Sequence, residues 1–139
     1  YEMQRSLVGS EMCIRDRCSS APDLDTAIIV AKSVIRSPLF KCAMFGADAN
    51  WGRVLCAIGY AEADFDINKV DVDLGSRAGR IAVCRNGAGV DFSEDEAKKI
   101  LTEDEIEIYI ELNAGDAKAT AWGCDLTYDY VKINGDYRS

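Results

Sequence analysis

The chain has 139 residues, with 16 basic and 24 acidic side chains and a net charge of −8. That length makes one domain or a piece of one, and the acidic balance argues against nucleic acid as a partner, because phosphate binding needs a basic face. The sequence contains no histidine, which removes the usual general base, His-dependent triads and most zinc sites, and no apolar run is long enough for a membrane-spanning helix.

Residues 1–18 lack an initiating Met and show neither helical nor strand periodicity. They have no sustained apolar core or cleavage site of a signal peptide. The segment looks like a translated sequencing adapter, so residues 1–20 are set aside as non-native and disordered, and the fold is read over residues 21–139. On this reading the chain is truncated and its natural form continues upstream. The segment carries three basic and three acidic residues, so the net charge of the rest is unchanged.

Leu24, Ala27, Ile28, Ala31, Val34 and Ile35 follow the spacing of one helix face. Ser20 or Asp23 is placed to cap that helix, and Ser37-Pro38 ends it, since a residue before Pro disfavours the helical region. Residues 39–45 form a short apolar run that predicts a buried strand. Residues 50–61 predict a second helix, with Val54, Leu55, Ile58 and Ala61 on one side and Gly52 and Gly59 weakening it. Val70, Val72 and Leu74 alternate with Asp71 and Asp73, a strand with one wet face. Residues 75–79 turn it into a returning strand begun by Ile81 and Val83, and residues 86–89 turn again. Ser93 with Glu96 is a capping box ahead of a helix ending near Leu101. Ile106, Ile108, Ile110 and Leu112 alternate with Glu107, Tyr109 and Glu111, the strongest strand pattern in the chain. A turn at residues 113–116 leads to a strand over 118–124, and residues 126–133 are expected to form a short helix. The sum is an α+β domain, a mostly antiparallel sheet packed by two or three helices as a sandwich or roll.

Most polar clusters read as structure. Asp64, Asp66, Asn68, Asp71 and Asp73 invite a calcium loop, but the pattern needs Gly where Lys69 sits and Glu where Gly75 sits. None of the six cysteines (Cys13, Cys18, Cys42, Cys56, Cys84, Cys124) forms a C-x-x-C pair or a zinc spacing. Cys42, Cys56 and Cys84 have apolar neighbours and read as small buried thiols. No metal and no cofactor is expected.

Two stretches resist a purely structural reading. In residues 45–53, Asp48 or Asn50 is placed to cap the following helix. Arg53 is placed to pair with Asp48 or to hold a carboxylate bidentately. With Trp51 these residues make either a capping loop with a buried indole or the support of a nearby active site. Residues 120–139 are dense in Trp, Tyr, Asp and Asn, unlike a fraying end. Asn134 offers a donor and an acceptor suited to amino-acid groups, and Ser139 a hydroxyl.

Together the two stretches closely resemble the ornithine acetyltransferase family (bifunctional glutamate N-acetyltransferase), over about residues 21–139. The resemblance implies the C-terminal part of the β chain of such an enzyme. It makes Asn134 and Ser139 the substrate-binding pair, matching the family's Asn and terminal Thr or Ser in type, spacing and position. It also implies self-cleavage before a threonine, whose freed amine activates it to carry the acetyl group from N-acetylornithine to glutamate in arginine biosynthesis. An α2β2 assembly with an α chain and a cytoplasmic location follow in the same way. The nucleophilic Thr, its oxyanion-hole residues, a substrate Lys and a substrate Glu have no counterpart in this sequence, so the chain alone is expected to be inactive. Whether acetyl-CoA also serves as donor depends on those upstream parts. The alternative is a free-standing module that binds an amino acid or serves assembly.

Overall fold

The computed structural model describes residues 12–125. Its first element is β1 (Cys13–Ala21), which lies inside the sheet between β5 (Glu105–Glu111), a parallel neighbour, and β6 (Ala117–Cys124), an antiparallel one. This corrects the exclusion of residues 1–20 from the fold, at least from Cys13 onward. The alternation is present: Met12, Ile14, Asp16 and Cys18 are buried while Cys13, Arg15 and Arg17 are half-buried. Asp16 on the inward face hides it, because three consecutive charged residues read as a loop. A strand's ladder is made by backbone N–H and C=O groups, so two good neighbours can hold it despite a poor side chain. β1 ends in an irregularity between Cys18 and Ala21, where Ser20 has φ 56°.

The full sheet runs β4-β3-β2-β5-β1-β6, with β2 (Asp71–Ser76), β3 (Gly79–Arg85) and the two-residue β4 (Ala88–Gly89). Among the described strands only β1 and β5 pair in parallel, so the sheet is mostly antiparallel, as expected. In register, Leu74 sits beside Ile108, Ile14 beside Ile106 and Cys18 beside Ile110, giving an apolar face interrupted by the buried Asp16. The other face carries charge: Glu107 accepts from Arg15 (2.8 Å) and Arg17 (3.1 Å), and Asp73 from Arg80 (2.8 Å) and Arg85 (2.7 Å). The Arg80 guanidinium stacks 3.7 Å from the centre of the Tyr109 ring.

Among the described residues four α-helices accompany the sheet, one more than the sequence predicts for them. α1 (Leu24–Ile35) packs on β1 and β6. Asp23 caps it by accepting from the Thr26 N–H at 2.7 Å, and that hydrogen bond lowers the Asp23 pKa. The fit is close, because a Cβ on Gly123 of β6 would come within 2.5 Å of Ile35. α2 (Pro38–Phe45) replaces the expected strand over residues 39–45. The Ser37 hydroxyl accepts from the Phe40 N–H (3.2 Å) and Pro38 takes the first helical position, where its missing N–H costs nothing. Ser37-Pro38 thus ends one helix and starts the next. α3 (Trp51–Gly59) and α4 (Glu94–Leu101) stand where the sequence places them. α4 lies on β2 and β3, and Ser93 caps it.

The core includes Ile14, Val30, Val34, Phe40, Met44, Ile58, Leu74, Ile100, Leu101 and Ile108, all but fully buried. Burial pushes the Cys18 thiol up to about 12. Cys84 is also buried, but Cys42 and Cys56 are exposed, correcting their reading as buried thiols. The helical period turns both outward once residues 38–45 and 51–59 are helices.

Candidate functional site, a cationic groove between helices

The motif at residues 45–53 forms the corner between α2 and α3. α2 stops at Gly46, and Ala47 takes φ 51° to reverse the chain. The Asp48 N–H then donates to the Ala43 carbonyl at 2.9 Å. Asn50, rather than Asp48, caps α3: its Oδ1 accepts from the Arg53 N–H at 3.1 Å. Its Nδ2 donates to Asp48 Oδ2 at 3.1 Å, so Asp48 orients the cap. Trp51 lies against β4, and a Cβ on Gly89 would come within 2.3 Å of its ring. Arg53 does not pair with Asp48. Its Nη1 donates to the Leu39 carbonyl at 2.9 Å and ties α3 to α2. Asp48, Asn50 and Trp51 are therefore accounted for as architecture, while Arg53 holds a helix corner and also faces a groove.

That groove, of about 740 Å³, lies among α1, α2 and α3. Asn50, Gly52 and Arg53 line it from the motif, Lys32 and Ser33 from α1, and Arg36 from the cap just past its end. Sequence reasoning missed the α1 residues, although Ile29, Lys32, Ser33 and Arg36 share the spacing of one helix face. The Ser33 hydroxyl donates to the Ala57 carbonyl at 2.5 Å, fixing α1 against α3. Among the described residues Glu62 is the one acid in the lining. Among the described residues no group of three or more His, Cys, Asp or Glu side chains is arranged to hold a metal ion. No described helix is long and apolar enough to cross a membrane. Asn134 and Ser139 lie outside the described residues, as does the helix expected at 126–133.

Comparison with known proteins decides the lineage. The model of the ArgJ family matches residues 2–139. The chain belongs to the ArgJ family. It is 50% identical over 131 residues to arginine biosynthesis bifunctional protein ArgJ 1 of Clostridium acetobutylicum, covering 94% of this chain and 32% of that protein. It is 47% identical over 138 residues to the protein named arginine biosynthesis bifunctional protein ArgJ in Symbiobacterium thermophilum, covering 99% of this chain and 33% of that one. The crystal structure of arginine biosynthesis bifunctional protein ArgJ from Bacillus halodurans superimposes with a TM-score of 0.88 at 40% identity, covering 96% of this chain and 61% of that chain. The fold is thus a family fold, and the chain spans about a third of the length of the curated relatives it matches.

Proposed function

We propose that this chain is the C-terminal part of an acyltransferase that moves an acetyl group from N-acetylornithine to glutamate in arginine biosynthesis. The observation that carries this reading is the family match over residues 2–139 combined with coverage of only a third of its relatives. In the reading, a threonine on the remainder of the polypeptide is freed by self-cleavage. Its amine takes the proton of its own hydroxyl, and the alkoxide attacks the acetyl carbonyl. An oxyanion hole holds the tetrahedral charge. The threonine ammonium returns its proton to the departing ornithine nitrogen and an acetyl ester remains; the glutamate amine then attacks that ester, and its proton passes through the same amine to restore the hydroxyl. A nucleophile activated by its own amine suits a sequence without histidine.

This chain's share is binding and assembly. Asn134 and Ser139 are assigned to the substrate's amino-acid groups, Asn134 through its paired donor and acceptor. The partners are an α chain and a second β chain, as α2β2 in the cytoplasm, with neither nucleic acid nor membrane. Alone, the chain lacks the nucleophile and is inactive. The test is an intact-mass measurement on a complex of this chain with the unmatched remainder of the Clostridium acetobutylicum relative. After exposure to N-acetylornithine without glutamate, one acetyl group is expected on the remainder and none on this chain. An acetyl group on this chain, or on neither, would refute the reading.

A further inference from the structure

We infer that the groove among α1, α2 and α3 is the surface onto which the remainder of the family polypeptide docks, through an apolar segment bearing acidic side chains. This rests on the reading of the chain as part of a longer enzyme and names the face that reading leaves open.

The exposed apolar surface is concentrated there. Leu24, Ile29, Leu39 and Tyr60 are the large hydrophobics standing exposed among the described residues, and the last three line this groove at 38%, 60% and 80% exposure. Scattered exposed apolar residues need no explanation, but a contiguous patch marks an interaction site. Charge narrows the occupant. In a chain of net charge −8, the described residues of this lining carry Lys32, Arg36 and Arg53 against one acid, Glu62. The walls are already set by Ser33 on the Ala57 carbonyl and Arg53 on the Leu39 carbonyl, so docking orders little backbone.

The other broad face competes poorly. Its large side chains are ion-paired rather than apolar and exposed: Arg15 and Arg17 pair with Glu107, and Arg80 and Arg85 pair with Asp73, although the Nε of Arg15 and of Arg17 is buried without a hydrogen-bond partner among the described residues. The occupant follows from length. The chain accounts for 32% of its Clostridium acetobutylicum relative and 61% of the Bacillus halodurans crystal chain, so the family supplies a large body of polypeptide to cover a preformed face.

The test co-expresses the tagged 139-residue chain with the unmatched remainder of the Clostridium acetobutylicum relative. Affinity and hydrogen exchange are then measured. The double variant Leu39→Asp, Tyr60→Asp is compared with Lys98→Glu on α4, and circular dichroism checks that each remains folded. Both altered apolar side chains are mostly exposed, so the fold should survive. We expect the wild type and Lys98→Glu to bind alike, and the double variant to bind at least about tenfold more weakly. Residues 29–39 and 50–60 should gain exchange protection on binding. Equal binding by the double variant, or protection confined to the Arg80–Tyr109 face, would overturn the inference while leaving the enzymatic reading intact. No binding by the wild type would overturn it as well. Protection of the same residues in the isolated chain would replace the proposed occupant: with a second copy if it depends on concentration, with the chain's own end if it vanishes on truncation after Asp125. Binding with the expected protection but no acetylated species would sink the enzymatic reading alone.

Discussion

Replacing Asp16 by Val should stabilise this protein, which is the reverse of what most core substitutions do. The Asp16 side chain is fully buried, and neither carboxyl oxygen has a hydrogen-bond partner among the described residues. Its neighbours in the sheet are Ile108 on β5 and Ala121 on β6, with Ile14 and Cys18 two residues away on the same face. Burying a neutral carboxyl without partners costs about 1–3 kcal/mol, and the valine methyls add about 1 kcal/mol of apolar burial. The gain is therefore about 2–4 kcal/mol, or roughly 8–16 °C in Tm for a chain of this size. Burial also raises the Asp16 pKa well above its ordinary value of 3.8. The folded state thus keeps a proton that the unfolded state releases. Asp16 is least harmful below the unfolded pKa, and its cost grows as pH rises from there toward the folded pKa. The gain from Asp16→Val should accordingly be larger at about pH 7 than at about pH 4, and Asp16→Asn, which cannot ionise, should remove that difference without the full gain. Denaturant and thermal melts by circular dichroism at the two pH values measure all three. An Asp16→Val chain no more stable than wild type, or a gain identical at both pH values, would refute the reasoning.

Four further predictions follow from the fold and the proposed function. Asn50→Ala removes the α3 cap and should cost about 1 kcal/mol in urea denaturation, with Asp48→Ala costing less because it acts only through Asn50. Gly89→Ala drives a Cβ into the Trp51 ring; it should destabilise by about 1–3 kcal/mol and shift Trp51 fluorescence to the red in a Trp122→Phe background. In the native chain Cys42 and Cys56 should react with a thiol reagent at once, whereas Cys18 and Cys84 should react only on unfolding, as peptide mass mapping would show. In the assembled enzyme, Asn134→Ala should raise KM for N-acetylornithine by the equivalent of about 1–3 kcal/mol; an unchanged KM in steady-state kinetics would remove Asn134 from the substrate site.

Much of the fold was legible because burial follows simple periods. Ile106, Ile108 and Ile110 alternate as β5, and Ala27, Ala31, Val34 and Ile35 follow the helical repeat with Asp23 as cap, although Leu24, read onto the same face, is exposed. Two elements failed for definite reasons. β1 has one charged residue on its buried face, which breaks the only pattern a strand offers, and its place is fixed by two ladders distant in sequence. α2 is short and apolar, a case in which period cannot separate strand from helix. Its signal was the start sequence, Ser37 at the cap and Pro38 behind it, rather than the run itself. The site divides similarly. Asn50 as a cap is local and readable, whereas the groove exists only because α1 and α3 are brought together by Ser33 and Ala57.

On the proposed function this chain contributes to acetyl transfer without containing the nucleophile. The most direct test is turnover of N-acetylornithine and glutamate to ornithine and N-acetylglutamate, measured for the purified chain and for its complex with the remainder of the Clostridium acetobutylicum relative. No turnover is expected from the chain alone and measurable turnover from the complex. Turnover by the isolated chain, or a stable complex that transfers no acetyl group, would contradict the proposed function.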